Sequence, residues 1–321
     1  MVLRREPVTR LFYASDIHGS ERMMGKFLNA GKAYRVQALV MGGDLTGKAL
    51  VPLLKRNGTH SCSFMGREYS ASTQAEFDDL VKLINYGGLY ARSMAPDEVA
   101  RLESDTAYRE QVLREVLTES VTRWLQKAVD KLKGTGICCY LMPGNDDPAL
   151  VAELIAGCDA IVNPEGRCVQ LDDHHEMISL GYSNPTPWNT ERELSEEELL
   201  SRMEGMMAAV QRPEQLVVNF HAPPHGSGLD TAPQLSADLR IETSMGQPIL
   251  TSVGSTATRR FIETHRPLLG LHGHIHESGG VAKLGRTLCI NPGSVYSEGV
   301  LMGAIVGLKP DGIASYQMVR G

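Results

Sequence analysis

Short apolar runs that break off abruptly in Gly, Asp, Asn or His punctuate this chain. Leu11 to Ala14 leads into Ser15-Asp16-Ile17-His18-Gly19, and Ala38 to Met41 leads into Gly42-Gly43-Asp44. Ile137 to Met142 leads into Pro143-Gly144-Asn145-Asp146-Asp147, and Leu216 to Phe220 leads into His221. Pro267 to Leu271 leads into His272-Gly273-His274-Ile275-His276. Apolar runs of this length, bounded by turn residues, predict strands covered on both faces. Glu21 to Ala33 reads as a helix between the first two runs. Strand and helix in alternation predict an α/β sheet, whose ligands collect where strands end. After His276 the rhythm changes to short strands around Gly-rich turns, Val281 to Leu284, Thr287 to Asn291, Leu301 to Leu308 and Ala314 to Val319. These predict a second, largely antiparallel layer.

From Lys48 to Leu132 the alternation is interrupted by a hairpin-like segment, Thr59 to Ser70, and then by helices. Tyr108, Val112, Val116, Val121, Leu125, Ala128 and Leu132 recur at helical spacing and predict a long amphipathic helix, with Ser104 or Asp105 to cap it. The organisation expected is one domain over 1–321 with an insertion at 48–132. An excursion of this length is expected to cover the functional loops or to form an oligomer contact; the bland alternative is a helical layer that only stabilises the sheet. A cover would bring Lys48, Lys55, Arg56 or Arg67 toward a bound phosphate, whereas a stability layer would leave them in solvent.

The acidic run Glu191 to Glu204 resembles a binding site only superficially. Ser195 with Glu198 three residues later forms a capping box, which predicts a helix start. Asp172-Asp173-His174-His175 lies between two strand-like runs, Arg167 to Leu171 and Glu176 to Leu180, and predicts a polar hairpin turn rather than a further metal site. His265 is expected near a helix end, His60 in a hairpin, His272 in support of the metal loop, and His225, in a Pro- and Gly-rich loop four residues after His221, either within reach of substrate or only in the loop. Trp188, in the loop Ser183 to Asn189, either stacks on a nucleobase or sugar or packs the loop.

Composition narrows the class. The chain has 321 residues, 42% hydrophobic and 22% charged, with a formal net charge of -6. That balance disfavours non-specific binding of nucleic acid, which needs a basic face. The six cysteines, Cys62, Cys138, Cys139, Cys158, Cys168 and Cys289, show no C-x-x-C spacing and read as free thiols of a reducing compartment. Arg4, Arg5 and Glu6 precede no apolar leader, and no run approaches membrane-spanning length, so a cytoplasmic protein with no membrane partner is expected.

The chemistry lies in the strand-end motifs. Carboxylates, imidazoles and one amide oxygen make a mixed O/N donor set suited to Mn, Fe, Zn, Co or Ni, and a paired site is the simplest use of Asp16, His18, Asp44, Asn145, His221, His274 and His276 together. In order and context, Asp16-Ile17-His18, Gly43-Asp44, Gly144-Asn145-Asp146-Asp147, His221 and Gly273-His274-Ile275-His276 resemble the blocks of the calcineurin-like metallophosphoesterase superfamily. Asn291-Pro292-Gly293-Ser294 is similar to the closing segment of its small bacterial phosphodiesterases.

The resemblance implies a four-layer α/β/β/α sandwich, here with a hairpin-plus-helix insertion. It implies that Asp16, His18 and His276 hold one divalent ion, that Asn145, His221 and His274 hold another, and that Asp44 bridges them. A bridging water acidified toward hydroxide would then attack phosphorus. Asp44, Asn145, Asp146 and His221 are the expected catalytic residues. One position departs from the pattern: many relatives carry His after the Asn, where it serves the leaving group, and this chain carries Asp146. Nearby cations oppose the raised pKa that a carboxyl acid would need, and Asp147 fills the acidic position that ordinarily orients the missing His. The function expected is a dinuclear-metal phosphodiesterase acting on a small nucleotide-like or other diester. A phosphomonoesterase or nuclease of the same superfamily is the first alternative, and a non-catalytic metal-binding scaffold the second. A small phosphate ester is the expected partner, alone or within a homo-oligomer.

Overall fold

A computed structural model describes residues 8–321; Arg4, Arg5 and Glu6, on which part of the localisation reading rests, lie outside the described residues. The chain opens with strand β1 (Thr9–Ala14), helix α1 (Glu21–Ala33) and β2 (Ala38–Met41). It then leaves through β3 (Leu50–Arg56), β4 (Thr59–Phe64), β5 (Arg67–Ala71), α2 (Gln74–Tyr86), β6 (Tyr90–Met94), α3 (Pro96–Ser104) and α4 (Thr106–Leu132). It returns with β7 (Cys138–Leu141), α5 (Ala149–Ala156), β8 (Cys168–Gln170), β9 (Glu176–Leu180), α6 (Glu196–Met207) and β10 (Val217–Phe220). Four short strands follow, β11 (Thr231–Pro233), β12 (Thr243–Ser244), β13 (Gln247–Pro248) and β14 (Leu250–Ser252). The chain closes with α7 (Thr256–His265), β15 (Leu269–Leu271), β16 (Gly280–Leu284), β17 (Thr287–Asn291), β18 (Met302–Lys309) and β19 (Gly312–Arg320).

Two sheets lie face to face between helices, the four-layer α/β/β/α sandwich. The first runs β19-β18-β1-β2-β7 and the second β16-β17-β15-β10-β9-β8. The side-chain period of a strand explains why their sequences are apolar throughout. Leu11, Tyr13, Val40 and Tyr140 of the first sheet meet Met177, Val217, Leu269 and Ile290 of the second. Their neighbours Phe12, Leu39 and Leu141 turn outward onto Met23, Met24 and Phe27 of α1 and Val151 and Ile155 of α5. On the far side, Ile178, Val218 and Phe220 pack against Leu199 and Met203 of α6 and Phe261 and Ile262 of α7. Truncating a side chain as fully buried as Phe27 would cost about 3–5 kcal/mol.

The helix starts follow their sequence signals. Asp105 caps α4 by accepting from the Tyr108 amide, and Ser195 and Glu198 form a complete capping box at α6. The hairpin around Asp172 is also present: β8 and β9 pair antiparallel, and the Asp172 carboxylate accepts from the amides of His174 and His175 and contacts His175 Nδ1 at 2.8 Å.

The strands after His276 differ from expectation. They do not form a separate antiparallel layer. β16 and β17 complete the second sheet, where β17 runs parallel to β15, while β18 returns to the first sheet and pairs antiparallel with β1. Local patterning fixes each hairpin, but which sheet edge a hairpin joins depends on which apolar face it must cover.

The excursion between β2 and β7 has two parts. β5-β4-β3-β6 form a four-stranded sheet with a small core of Val51, Leu53, Phe64, Leu80 and Ile84. The long helix α4 instead lays Val116, Leu117, Val121, Trp124, Leu125 and Ala128 into the main core beside α1, as part of the outer helical layer. Among the described residues no helix is long and apolar enough to cross a membrane.

Candidate metal centre

β1, β2 and β7 run parallel, as do β10 and β15, so their carboxyl ends present five loops at one place. Those loops carry Asp16 and His18, Asp44, Asn145, His221, and His274 and His276. The two sheets are tied across the gap. The His274 amide donates to the Asp16 carboxylate at 3.0 and 3.1 Å, and His221 Nδ1 lies 2.9 Å from the Gly42 carbonyl.

Asp16, His18, Asp44 and His276 bring one ligand atom each within 4.8 Å of one another, and Asp44, His221 and His274 do the same, so Asp44 belongs to both groups. His18 Nε2 is 3.0 Å from His276 Nε2 and 3.6 Å from Asp44 Oδ2; His221 Nε2 is 3.4 Å from Asp44 Oδ1. Asn145, the remaining member of the expected set, is buried, and the amide of the residue after it donates to Asp44 Oδ1 at 3.0 Å.

Its orientation follows from donor and acceptor logic. The Glu193 carboxylate can only accept, so the Thr190 hydroxyl donates to it (2.7 Å) and offers its own lone pair to Asn145 Nδ2 (2.9 Å). Among the described residues Asn145 Oδ1 is thereby left buried with no hydrogen-bond partner, and so is Nε2 of His221. Buried polar atoms without partners are costly unless something absent satisfies them. With two carboxylates and four imidazoles nearby, a divalent transition-metal ion fits each group chemically.

The backbone is strained where these side chains project. Asp16, His18, Asp44 and His274 all have positive φ, 58°, 39°, 51° and 67°. Such conformations cost of order 1–3 kcal/mol each and collect at functional sites. Gly144 is required by contact: a Cβ there would sit 2.1 Å from Asp44 Oδ1.

Burial raises the carboxyl pKa values, but the neighbouring imidazoles outweigh it. Hydrogen bonding from His276 and the charges of His221 and His276 hold Asp16 at about 2, and Asp44 is driven well below the carboxylate range. Burial keeps His18 and His274 at about 4, in the neutral form that ligates metals. Burial also lowers His221, yet Asp44 and Asp16 raise it to about 9.

Asp147 is a scaffold residue. Fully buried, it accepts from the amides of Leu45, Thr46 and Gly144 and from the Thr46 hydroxyl, which locks the Asp44 loop against the Asn145 loop. Asp146 sits at the rim, its amide donating to Asp44 Oδ1 at 3.0 Å and its carboxylate paired with the Lys48 ammonium. Burial and the Asp44 charge push its carboxyl upward against that pairing.

Of the other histidines, His272 is buried with Nδ1 against the Phe220 carbonyl, His265 meets Glu204, and His60 meets Ser93. None of these belongs to the donor groups. His225 is 44% exposed, 3.9 Å from Asp230. Trp188 is 63% exposed, so it does not pack its loop. Lys55, Arg56 and Arg67 are exposed on the small sheet.

Three features escaped sequence reasoning: the Thr190–Glu193 support, the Lys48–Asp146 pair, and Tyr296, whose ring lies 4.6 Å from that of His18. Only Tyr296 had a local signal, since it follows the Asn291-Pro292-Gly293-Ser294 turn.

A scan against protein-family models finds none that matches the chain. An uncharacterized protein of Methanocaldococcus jannaschii, MJ1162, is 29% identical over 153 residues, which are 47% of this chain and 62% of that relative. The match thus spans less than two thirds of the relative's length. Among solved structures, TT1561 of Thermus thermophilus superposes with a TM-score of 0.52 at 12% identity, covering 98% of this chain and 99% of the other. A second solved chain gives 0.55 at 14% identity, covering 97% and 99%. At these identities the likeness is one of fold, and it extends over nearly the whole chain.

Proposed function

We propose that this chain is a dinuclear-metal-dependent phosphoesterase that favours phosphodiesters. The observation that carries the reading is the convergence of six carboxylate and imidazole side chains at four strand ends, with the Asn145 oxygen at a fifth left buried and without a partner among the described residues. Asp16, His18 and His276 would hold one ion, Asn145, His221 and His274 the other, and Asp44 both. Ions bound there supply Lewis acidity toward a phosphoryl oxygen and lower the pKa of water.

The chain's own residues do the rest. Thr190 and Glu193 keep the Asn145 oxygen turned away from Thr190, the Gly42 carbonyl fixes the His221 ring, and Asp147 holds the Asp44 and Asn145 loops in register. Asp16 and Asp44 offset part of the charge of two divalent cations. Counted with the hydroxide that would attack phosphorus, about one positive charge would remain, which a diester monoanion balances more closely than a monoester dianion does. The six free thiols fit a reducing, cytoplasmic setting.

The test is reconstitution with Mn, Fe, Co, Ni or Zn separately, followed by a panel of monoesters, diesters, cyclic nucleotides and dinucleotides. Turnover should require metal and be fastest on diesters. Equal rates in thoroughly chelated protein, or no turnover with any metal, would overturn the reading.

A further inference from the structure

Asp146 poses an electrostatic problem. Its backbone amide is pinned to Asp44, and its carboxylate, 9% exposed, lies 3.9 Å from His18 Nδ1 at the rim of the centre. A lone carboxylate there would repel any phosphate approaching the metals.

Lys48 removes that repulsion. It follows the Asp44 loop directly, and the backbone leading to it is fixed: the Leu45 and Thr46 amides donate to Asp147, and the Gly47 amide donates to the buried Tyr90 hydroxyl at 2.9 Å. There is no slack at Gly47, where a Cβ would sit 2.0 Å from the Gly88 carbonyl of the excursion. From this anchored base the Lys48 ammonium reaches the Asp146 carboxylate, yet the side chain remains 58% exposed. An ammonium has three donors, and with the side chain this exposed those that Asp146 does not engage stay open to solvent.

We propose that Lys48 is a specificity-determining residue that reads the charge of the phosphate group, and that Asp146 is the residue that positions it; this rests on the phosphoesterase reading above. The pair is neutral as a unit, with its donor edge toward the entering ester. It lets the site accept a dianionic phosphate, a monoester or inorganic phosphate, that the bare carboxylate would exclude. Asp146 acts through Lys48, in place of a group that itself meets the leaving oxygen.

The experiment uses the full, metal-loaded chain and compares Lys48→Met with the parent on nitrophenyl phosphate and bis(nitrophenyl) phosphate. Inorganic phosphate binding is followed by calorimetry, with metal content and Tm as controls. Loss of one charge at an exposed site predicts that monoester kcat/KM falls roughly tenfold more than diester kcat/KM, and that the phosphate Kd weakens roughly tenfold. Lys48→Arg should retain most of both. The double variant Lys48→Met with Asp146→Asn should recover most of the monoester loss, because the unpaired carboxylate is gone; a merely structural Lys48 would give no such recovery.

An unchanged monoester-to-diester ratio and an unchanged phosphate Kd, with metal content intact, would overturn the inference and leave the phosphoesterase reading standing. If the parent turns over no ester with any metal, that reading falls, while the effect of Lys48→Met on phosphate binding still decides the role of Lys48. A parent that also binds no phosphate would end both.

Discussion

The two sides of Asp44 are built differently. On one side, Asn145 and His221 are fully enclosed, and each has a dedicated partner behind it, Thr190 with Glu193 for the amide and the Gly42 carbonyl for the imidazole. On the other, His276 is 30% exposed, and apart from the carboxylates of Asp16 and Asp44, which belong to the same donor group, the His18 and His276 rings contact chiefly each other and Tyr296. The enclosed side is oriented before any ion arrives, whereas the open side has side chains that the ion itself must order. An ion on the enclosed side is therefore expected to be held tightly, and the open side to exchange its ion and meet solvent.

The largest test of that contrast is removal of what the sides share. Asp44→Ala should reduce hydrolysis to the uncatalysed background and bring ion stoichiometry toward zero. His221→Ala should come close to it, while His276→Ala should retain the enclosed ion, as elemental analysis after dialysis would show. Loss of both ions from His276→Ala would contradict the difference between the sides. Next in size is Thr190→Val, which frees the Asn145 amide to turn; metal affinity should weaken about 10–100-fold with little change in metal-free Tm. A metal titration of that variant indistinguishable from the parent's would show that the Thr190–Glu193 support is idle.

A smaller effect concerns protons. In the metal-free protein His221 is raised from 6.5 to about 9, because Asp44 and Asp16 outweigh burial. A raised imidazole stabilises the fold fully below 6.5, and that contribution fades as pH rises through about 9. An entering ion must displace this proton, so apparent metal affinity should climb with pH up to about 9 and uptake at neutral pH should release protons. Calorimetry in buffers of different ionisation enthalpy measures the release, and heats independent of buffer would refute it.

The smallest effect lies away from the metals. Burial opposes ionisation of Asp172, but bonding to His175, Thr9 and the amides of His174 and His175 holds its carboxyl below the ordinary 3.8. Its contribution is present above that value and lost as pH falls through the folded-state value. Asp172→Asn should lower Tm by about 3–6 °C at neutral pH. The gap should close in acid; a gap that widened there would reverse the assignment.

Much of this arrangement was legible in the chain because its signals are local. The apolar runs before Asp16, Asp44, Asn145 and His221 each became a strand that ends where its motif begins, and Ser195 with Glu198 marked the start of α6 within one turn. The rest was hidden because it depends on residues far apart. Thr190 meets Asn145 across 45 positions, and Lys48 meets Asp146 from the far end of the excursion. Neither Thr nor Lys differs in local pattern from an ordinary loop residue, and only folding shows which loop faces which. The separation of β16 and β17 from β18 and β19 into different sheets was hidden for the same reason.

The positive φ angles at Asp16, His18, Asp44 and His274 have a further consequence, for how this protein tolerates change. Selection for folding alone would favour glycine or asparagine at those four positions, and a consensus-style stabilisation campaign would be drawn to them first. Each such replacement relaxes the backbone while removing a carboxylate or an imidazole from the candidate donor set. Variants chosen only for heat resistance would therefore drift toward a sturdier, inert protein, and any screen meant to preserve function must hold these four positions fixed.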